Sequence, residues 1–440
     1  MPLSSVSHLK RRLASFVYHP EAGIPLNQRA STIIKAPRVL FINRVYPPAG
    51  GATGALLAEL AEDLTAGGWE VHILTGPHPG APEVDRQAGV WIHRVDGLAF
   101  TRESTWRRAA AYLSLCPRFL THALRLPRPD VIVTKTDPPM LKVLGPALGA
   151  LTGARPVHWA QDLYPEVAEA LQVIPDKGVL ANAMRSLSTW ALHGHDHIVA
   201  VGRCMKRRIE ARGIAPEKIS VIPNWAPSTV HPVPHEQNTF RTKQGWQGNT
   251  VVMCSGNMGL AHPFEVILDA AEQLRHERPD MVFAFVGEGP RKAWIAEQVT
   301  ARNLSNVTLL PFQPKDRLAE SLSAADVHLV TMQSEVEGLV VPSKVYGVLA
   351  AGRPCVFLGP EGSEAAQRIR GRNAGTVLPH PTPVTVAEAL KQEPGSHPHG
   401  RDHKAYISAQ EGRTTAVTAF NRLLQQAGNS ARKAIGSRHG

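Results

Sequence analysis

The sequence predicts an α/β protein built as two successive, doubly wound parallel-sheet domains. Short apolar strands alternate with amphipathic helices from residue 38 onward. The same rhythm restarts near residue 250, after a proline-rich and polar stretch at Pro223–Pro234. A chain of 440 residues is also long enough for two cores of ordinary size.

The first half opens with a strand at Arg38–Asn43, RVLFIN, leading into YPPAGGATG. Gly50, Gly51 and Gly54 flank Ala52 and Thr53 there, and an amphipathic helix runs from about Thr53 to Ala66. Glycines at this turn let backbone approach a ligand. The spelling is neither GxGxxG nor Walker A, which weakens a dinucleotide or P-loop reading. Strands are predicted at Glu70–Leu74, Val90–Val95 and Val131–Lys135, with helices at Trp106–Leu126 and Met140–Leu151. Pro156–Asp162 then reads PVHWAQD and continues into Leu163-Tyr164-Pro165-Glu166. Polar residues at the carboxyl end of such a strand stand where open α/β sheets bind ligands, so His158, Asp162 and Glu166 are site candidates. An equally good reading has Asp162 capping a helix and His158 packing on the sheet. His193, His195 and His197 alternate around Asp196 but pass from a helix end into the strand Ile198–Val201, a poor pattern for one metal site. A helix over Met205–Arg212 and a strand over Ile219–Ile222 close this half.

The second half contains strands at Thr250–Ser255, Met281–Val286, Val307–Leu310, Val327–Thr331 and Cys355–Leu358. Helices are predicted at Pro263–Arg275, Arg291–Arg302, Lys315–Ala324 and Ser343–Ala351. Three turns, Gly256-Asn257-Met258-Gly259, Gly287-Glu288-Gly289-Pro290 and Pro342-Ser343-Lys344, each aim a helix start from one sheet edge. Ser343 is read as the cap of the third helix and Gly352 as its stop. Such convergence suits a phosphorylated ligand, with Lys344 adding charge. After Pro381 the chain turns polar and histidine-rich, until a last helix from about Ala405 to Gln426.

Charge is unevenly spread. The formal net charge is +11, of which residues 1–35 contribute +4 and residues 391–440 contribute +5. Basic ends suit an anionic membrane surface, and without a basic groove interleaved with aromatics nucleic acid falls behind. His8–Val17 carries apolar residues at helical spacing beside Lys10, Arg11 and Arg12, a pattern that can lie on a membrane. Four scattered cysteines, no signal-peptide pattern and no long apolar run predict a cytoplasmic protein, soluble or peripheral on the inner membrane face.

Read together, YPPAGGATG, DPP at Asp137–Pro139, WAQDLYPE at Trp159–Glu166, VIPNW at Val221–Trp225, SGNMG at Ser255–Gly259, VGEGP at Val286–Pro290 and EGLVVPSKVYGVLAAGRP at Glu337–Pro354 resemble the family 4 glycosyltransferases. The bacterial enzymes that assemble O-antigen and exopolysaccharide are the nearest in pattern. The resemblance spans Arg38 to Leu424 and implies the GT-B fold, two Rossmann-like domains facing across a cleft. It divides the chain into a basic extension (1–35), an acceptor-side domain (36–225), a linker (226–248), a nucleotide-sugar domain (249–400), a helix packing back across the junction (401–428) and a basic tail (429–440).

The resemblance implies retaining transfer from a nucleotide sugar to a lipid-linked or free saccharide, without a metal or other cofactor. Lys344, Ser343, Gly256, Asn257 and Gly259 would meet the donor diphosphate, and Gly287, Glu288 and Gly289 would lie near the base. Gly51, Thr53 and Gly54 would approach from the other domain, Glu337 would bond sugar hydroxyls, and Asp162 and His158 would line the acceptor side. Two positions depart from the family pattern: Gly347 stands where a ribose-binding glutamate is usual, and Asn257 where an arginine is common. Arg203, Lys206 and Arg291 are further cations within possible reach of the diphosphate. A nucleotide-sugar 2-epimerase of the same fold and an inactive scaffold remain the alternatives.

Overall fold

The computed structural model describes residues 36–97, 105–392 and 408–436. The basic extension over residues 1–35, with its amphipathic stretch at His8–Val17, lies outside them.

The first half of the chain builds an eight-stranded sheet. Its elements are β1 (Arg38–Ile42), α1 (Ala52–Ala66), β2 (Glu70–Thr75), β3 (Val84–Gln87), β4 (Val90–Arg94), α2 (Thr105–Ala123), β5 (Val131–Thr134), α3 (Leu144–Thr152), β6 (Arg155–Ala160), α4 (Glu166–Ala170), α5 (Val179–Gly194), β7 (His197–Ala200), α6 (Arg203–Glu210) and β8 (Ile219–Val221). The strand order is β3-β4-β2-β1-β5-β6-β7-β8, and only β3 runs antiparallel. That edge hairpin was not expected. Ala88 and Gly89 both take positive φ, 47° and 82°, the geometry of a two-residue primed turn.

The second half adds α7 (Thr239–Lys243), β9 (Thr250–Ser255), α8 (Phe264–Glu277), β10 (Met281–Val286), α9 (Lys292–Ala301), β11 (Val307–Leu310), α10 (Leu318–Ser323), β12 (Val327–Thr331), α11 (Lys344–Ala350), β13 (Cys355–Leu358), α12 (Glu364–Gly371), β14 (Gly375–Leu378), α13 (Pro383–Gln392) and α14 (Ala409–Gly436). Its six parallel strands are ordered β11-β10-β9-β12-β13-β14. Past Pro381, where a polar segment was expected, α13 buries Val386, Ala387, Ala389 and Leu390 against α8. Its apolar residues recur at helical spacing behind a proline at the first position. The last helix starts at Ala409 and runs to Gly436, well past Gln426.

That helix crosses back to the first sheet. Arg413 pairs with Asp63 at 2.7 Å, and the Trp69 indole donates to Asn421 at 2.9 Å. Phe420 meets the Trp159 ring edge-on at 4.6 Å between centroids, and Trp225 of the VIPNW stretch stacks on Trp159 at 6.1 Å. One apolar cluster therefore runs continuously from β1, β5 and β6 through Trp225 to Leu339, Tyr346, Ala350 and Phe420. Phe420 is fully buried in it. Phe420→Ala should cost about 3–5 kcal/mol of unfolding free energy, measured by urea denaturation. A loss no larger than that of an exposed-site variant would remove α14 from the structural core.

Candidate functional site

Two parallel sheets bring the predicted turns to neighbouring positions at their carboxyl edges. In the second half these turns are packed so tightly that side chains have no room. A Cβ on Gly287 (φ +150°) would fall 2.0 Å from the Gly256 carbonyl oxygen, and one on Gly289 2.5 Å from that of Met258. Met258 N–H donates to the Glu288 carbonyl at 2.8 Å, and Arg291 N–H to the Met258 carbonyl at 3.1 Å. Glycine is required there by close backbone approach.

Lys344 lies against the first of these turns. Its Cε would be 3.1 Å from a Cβ on Gly256, whose φ is +104°. Its surroundings are neutral: the Cys254 thiol, and His262, whose Nδ1 bonds the Thr331 carbonyl at 2.8 Å. Burial pushes the Lys344 ammonium down to about 8 and His262 down to about 3. Among the described residues Lys344 has neither a hydrogen bond nor a carboxylate partner. A cation held without a counter-ion is a ready site for an anion. Ser343 does not cap α11: it takes helical φ and ψ, and its hydroxyl bonds no backbone N–H. Ser343 already lies in the first turn, its carbonyl accepting from Tyr346 N–H at 3.2 Å, and among the described residues its hydroxyl has no hydrogen-bond partner.

Other expected contributors are engaged elsewhere. Glu288 pairs with Lys292 at 2.6 Å, and Arg291 pairs with Glu265 while stacking 4.1 Å over Trp294. Lys206 donates to the Pro216 and Ile219 carbonyls. Asn257 stands exposed on its turn.

From the first half, Asp162 reaches this region directly. Its backbone forms an antiparallel bridge with Val340, Glu337 bridges the same Val340, and Leu163 N–H donates to the Leu339 carbonyl at 2.8 Å. The two predicted carboxylate residues thus flank one residue of the segment that ends in Lys344. Burial pushes the Asp162 carboxyl up to about 6, with Asp137 adding to the shift and Lys135 opposing it. Lys135 is fully buried, lies 3.5 Å over the Trp159 ring, and donates to the Thr53 carbonyl at 2.8 Å. It thereby ties the Gly51–Gly54 loop to Asp162. Gly54 is held close as well, since a Cβ there would lie 2.8 Å from the Val45 carbonyl oxygen. Glu337 Oε1 occupies the space beside Gly362, where a Cβ would be 2.2 Å away.

His158 does not join this group. It is buried mid-strand in β6, its Nδ1 3.0 Å from the Thr134 carbonyl and its ring 5.4 Å from His195, and burial holds it well below the ordinary histidine range. The other histidines diverge: His193 is exposed, His195 bonds the Ala191 carbonyl at 2.6 Å, and His197 bonds Ser220 at 2.8 Å. Glu166 pairs with Arg212.

Residues 51–225 match the model of the glycosyl transferase 4-like domain, and residues 249–392 that of the glycosyl transferases group 1. The chain belongs to the family 4 glycosyltransferases. It is similar to the probable glycosyltransferase WbjE of Pseudomonas aeruginosa, 28% identical over 269 residues that cover 61% of this chain and 67% of that protein. It is also similar to the putative colanic acid biosynthesis glycosyl transferase WcaI of Escherichia coli K12, 27% identical over 357 residues, 75% of this chain and 85% of that one. Among solved structures, Anabaena HepE in complex with UDP and glucose superposes with a TM-score of 0.61 at 15% identity, covering 91% of this chain and 100% of that one. WaaG, a glycosyltransferase involved in lipopolysaccharide biosynthesis, gives 0.58 at 17% identity, covering 89% and 99%. At such identities the structural likeness speaks for the GT-B fold alone.

Within this glycosyltransferase, Lys135 and His262 were not singled out from sequence. Neither sits in a repeated pattern; each gains its place only through packing on Trp159 or Lys344. The pairing of Gln161 with Asn224, each side-chain amide donating a hydrogen bond to the other at 3.0 and 2.8 Å, likewise joins the WAQDLYPE and VIPNW motifs.

The Lys344 ammonium loses its proton near pH 8, so its charge is present below that value and absent above it. Affinity for the nucleoside diphosphate of the donor should therefore weaken as pH rises through about 8, and Lys344→Arg should hold it level through the same range. Calorimetric titration across pH checks this; an equal decline in the arginine variant would contradict it.

Proposed function

We propose that this glycosyltransferase moves a hexosyl or N-acetylhexosaminyl group, with retention at the anomeric carbon, from a nucleotide sugar to a saccharide carried on a polyprenyl diphosphate. The product would be part of a cell-surface polysaccharide, as the names of its bacterial relatives suggest. The observation that carries the reading is the uncompensated Lys344 cation against the Gly256 turn.

In this reading the bond between the anomeric carbon and the donor phosphate oxygen breaks, and negative charge grows on the departing nucleoside diphosphate. Lys344, Ser343 and the backbone of the Gly256–Gly259 turn meet that charge where it develops. Because the ammonium is already positioned and desolvated, little reorganisation is needed when the charge appears. The acceptor hydroxyl forms the new bond from the same face, and its proton passes to the leaving phosphate oxygen. Glu337 orients the donor sugar, and Asp162 orients the acceptor hydroxyl from across Val340. Thr53 and the Gly51–Gly54 backbone approach the reacting centre from the first domain. Lys344 supplies the positive charge for which other enzymes use a divalent ion, and the reading assigns no metal.

A lipid-linked acceptor places the enzyme at the cytoplasmic face of a membrane without crossing it. None of the described helices is long and apolar enough to span a bilayer.

A thermal-shift panel of UDP-, GDP- and dTDP-sugars identifies the donor, since a ligand that binds only the folded state raises the melting temperature. With that donor, Lys344→Ala should lower turnover by roughly 10²–10³-fold at unchanged melting temperature. Wild-type turnover in the folded variant would refute the assignment. Conversion of the donor sugar without any acceptor would favour the epimerase.

A further inference from the structure

The stretch Ser255–Pro263, SGNMGLAHP, leaves β9 and closes on a histidine to which the proposed function gives no part. His262 is held by the neighbouring strand. Its Nδ1 lies 2.8 Å from both the carbonyl oxygen and the hydroxyl of Thr331, the last residue of β12. Gln333 N–H donates to the Ala261 carbonyl at 2.9 Å, and the ring packs on Phe264 at 5.6 Å between centroids. Backbone and ring are both fixed to the end of β12.

These contacts decide the tautomer. A carbonyl oxygen only accepts, so Nδ1 carries the proton that bonds it. Burial and the nearby Lys344 ammonium oppose a second proton, holding the imidazole down to about 3. Nε2 is therefore a bare lone pair. Among the described residues no group donates to it, and the ring is only half-buried, open to a ligand. A Cβ on Gly259 would lie 3.8 Å from His262 Cδ2. The ring thus borders the Gly256–Gly259 turn, against which Lys344 lies at its Gly256 end.

A fixed acceptor cannot bond a diphosphate oxygen, which has no proton to give at neutral pH. It selects a donor, and in a nucleotide sugar the hydroxyls and the base N–H groups are the donors. The order of strands separates them. The Gly287–Gly289 turn, assigned to the base, follows β10 on one side of β9, whereas His262 is bonded to β12 on the other. From Thr331 the chain passes through the turn at Ser334–Val336 to Glu337, the residue assigned to the donor sugar. His262 therefore stands on the sugar side of the diphosphate.

We infer that His262 Nε2 accepts a hydrogen bond from a hydroxyl of the sugar being transferred. The inference rests on the nucleotide-sugar reading above and deepens it. Lys344 and the turn hold phosphate by donating, while His262 and Glu337 hold the sugar by accepting. His262 is then a specificity residue. A site built to bond a hydroxyl rejects an analogue lacking it more strongly than an apolar pocket rejects a misfit.

Substitution separates the two sides of the imidazole. His262→Asn keeps an N–H where Nδ1 donates to Thr331 and removes Nε2; His262→Gln returns an acceptor oxygen near the Nε2 position. Calorimetry compares the nucleotide sugar that the donor panel identifies with its nucleoside diphosphate. His262→Asn should bind the nucleotide sugar roughly fivefold more weakly, the scale of one neutral hydrogen bond, and bind the diphosphate as wild type does. His262→Gln should recover most of the loss, and both variants should melt as wild type does. Lys344→Ala weakens both ligands alike, so failure of the diphosphate grip and failure of the sugar contact read differently. Equal loss of both ligands in His262→Asn would move the contact to the diphosphate or ribose and overturn the proposal. So would an unchanged affinity for the nucleotide sugar, or a glutamine variant that recovers nothing. Nitrogen-15 NMR of the ligand-free wild type needs no variant to fold: His262 should be protonated at Nδ1 alone near neutral pH, and a proton on Nε2 would overturn the proposal.

Discussion

The fold turns on the indole of Trp159. It is fully buried, with the Lys135 ammonium over its face, Trp225 stacked beside it and the Phe420 edge against it. Those partners come from the residue that follows β5, from the crossover between domains and from the helix that returns to the first domain. A buried ammonium is costly unless its charge is met. Burial accordingly holds Lys135 well below the ordinary lysine range, with Asp162 opposing the shift, and its contacts with the Trp159 ring and the Thr53 carbonyl fix backbone that borders the cleft.

From that clamp the site follows by short steps. Lys135 holds the Gly51–Gly54 loop and lies within electrostatic reach of Asp162. Asp162 bridges to Val340, next to Glu337, and four residues later the chain reaches Lys344 on the Gly256 turn. The first domain thus brings a carboxyl whose proton is held unusually firmly, and the second a cation without a partner. Burial drives both shifts, and each leaves a group prepared for a ligand rather than satisfied by the protein. Glycine stands at position 347, and the nearest atom to a Cβ there would be Leu322 Cδ1 at 3.2 Å.

Much of this was legible in the sequence because parallel sheets announce themselves. Strands buried on both faces, such as RVLFIN and VVMC, read as continuous apolar runs, and glycine turns follow them. The edge strands β3 and β14 were missed because VDRQ and GTVL are short and only partly buried, so alternation carries little signal. The helix α13 was hidden by the polar and histidine-rich segment that follows it. Within the candidate site, Asp162, just past β6, and Lys344, at the start of α11, could be nominated from motif order, and Glu337 from its place in the EGLVVPSK stretch. For His158 the sequence left a site role and packing on the sheet equally open, because strand alternation does not say which face is closed by other helices. The engagement of Arg291 with Glu265 was equally invisible, being a contact between two helices distant in sequence.

The central claim is that Lys344 reads the donor diphosphate. The most direct measurement compares the nucleoside diphosphate of the donor that the panel identifies with its monophosphate, by calorimetry in wild type and in Lys344→Gln. The account predicts that wild type prefers the diphosphate by at least about tenfold, as expected for a charge-assisted bond of 1.5–3 kcal/mol, and that the variant loses most of that preference while still binding the monophosphate. A variant that keeps the full preference would contradict it, and the diphosphate would then have to be held by other groups.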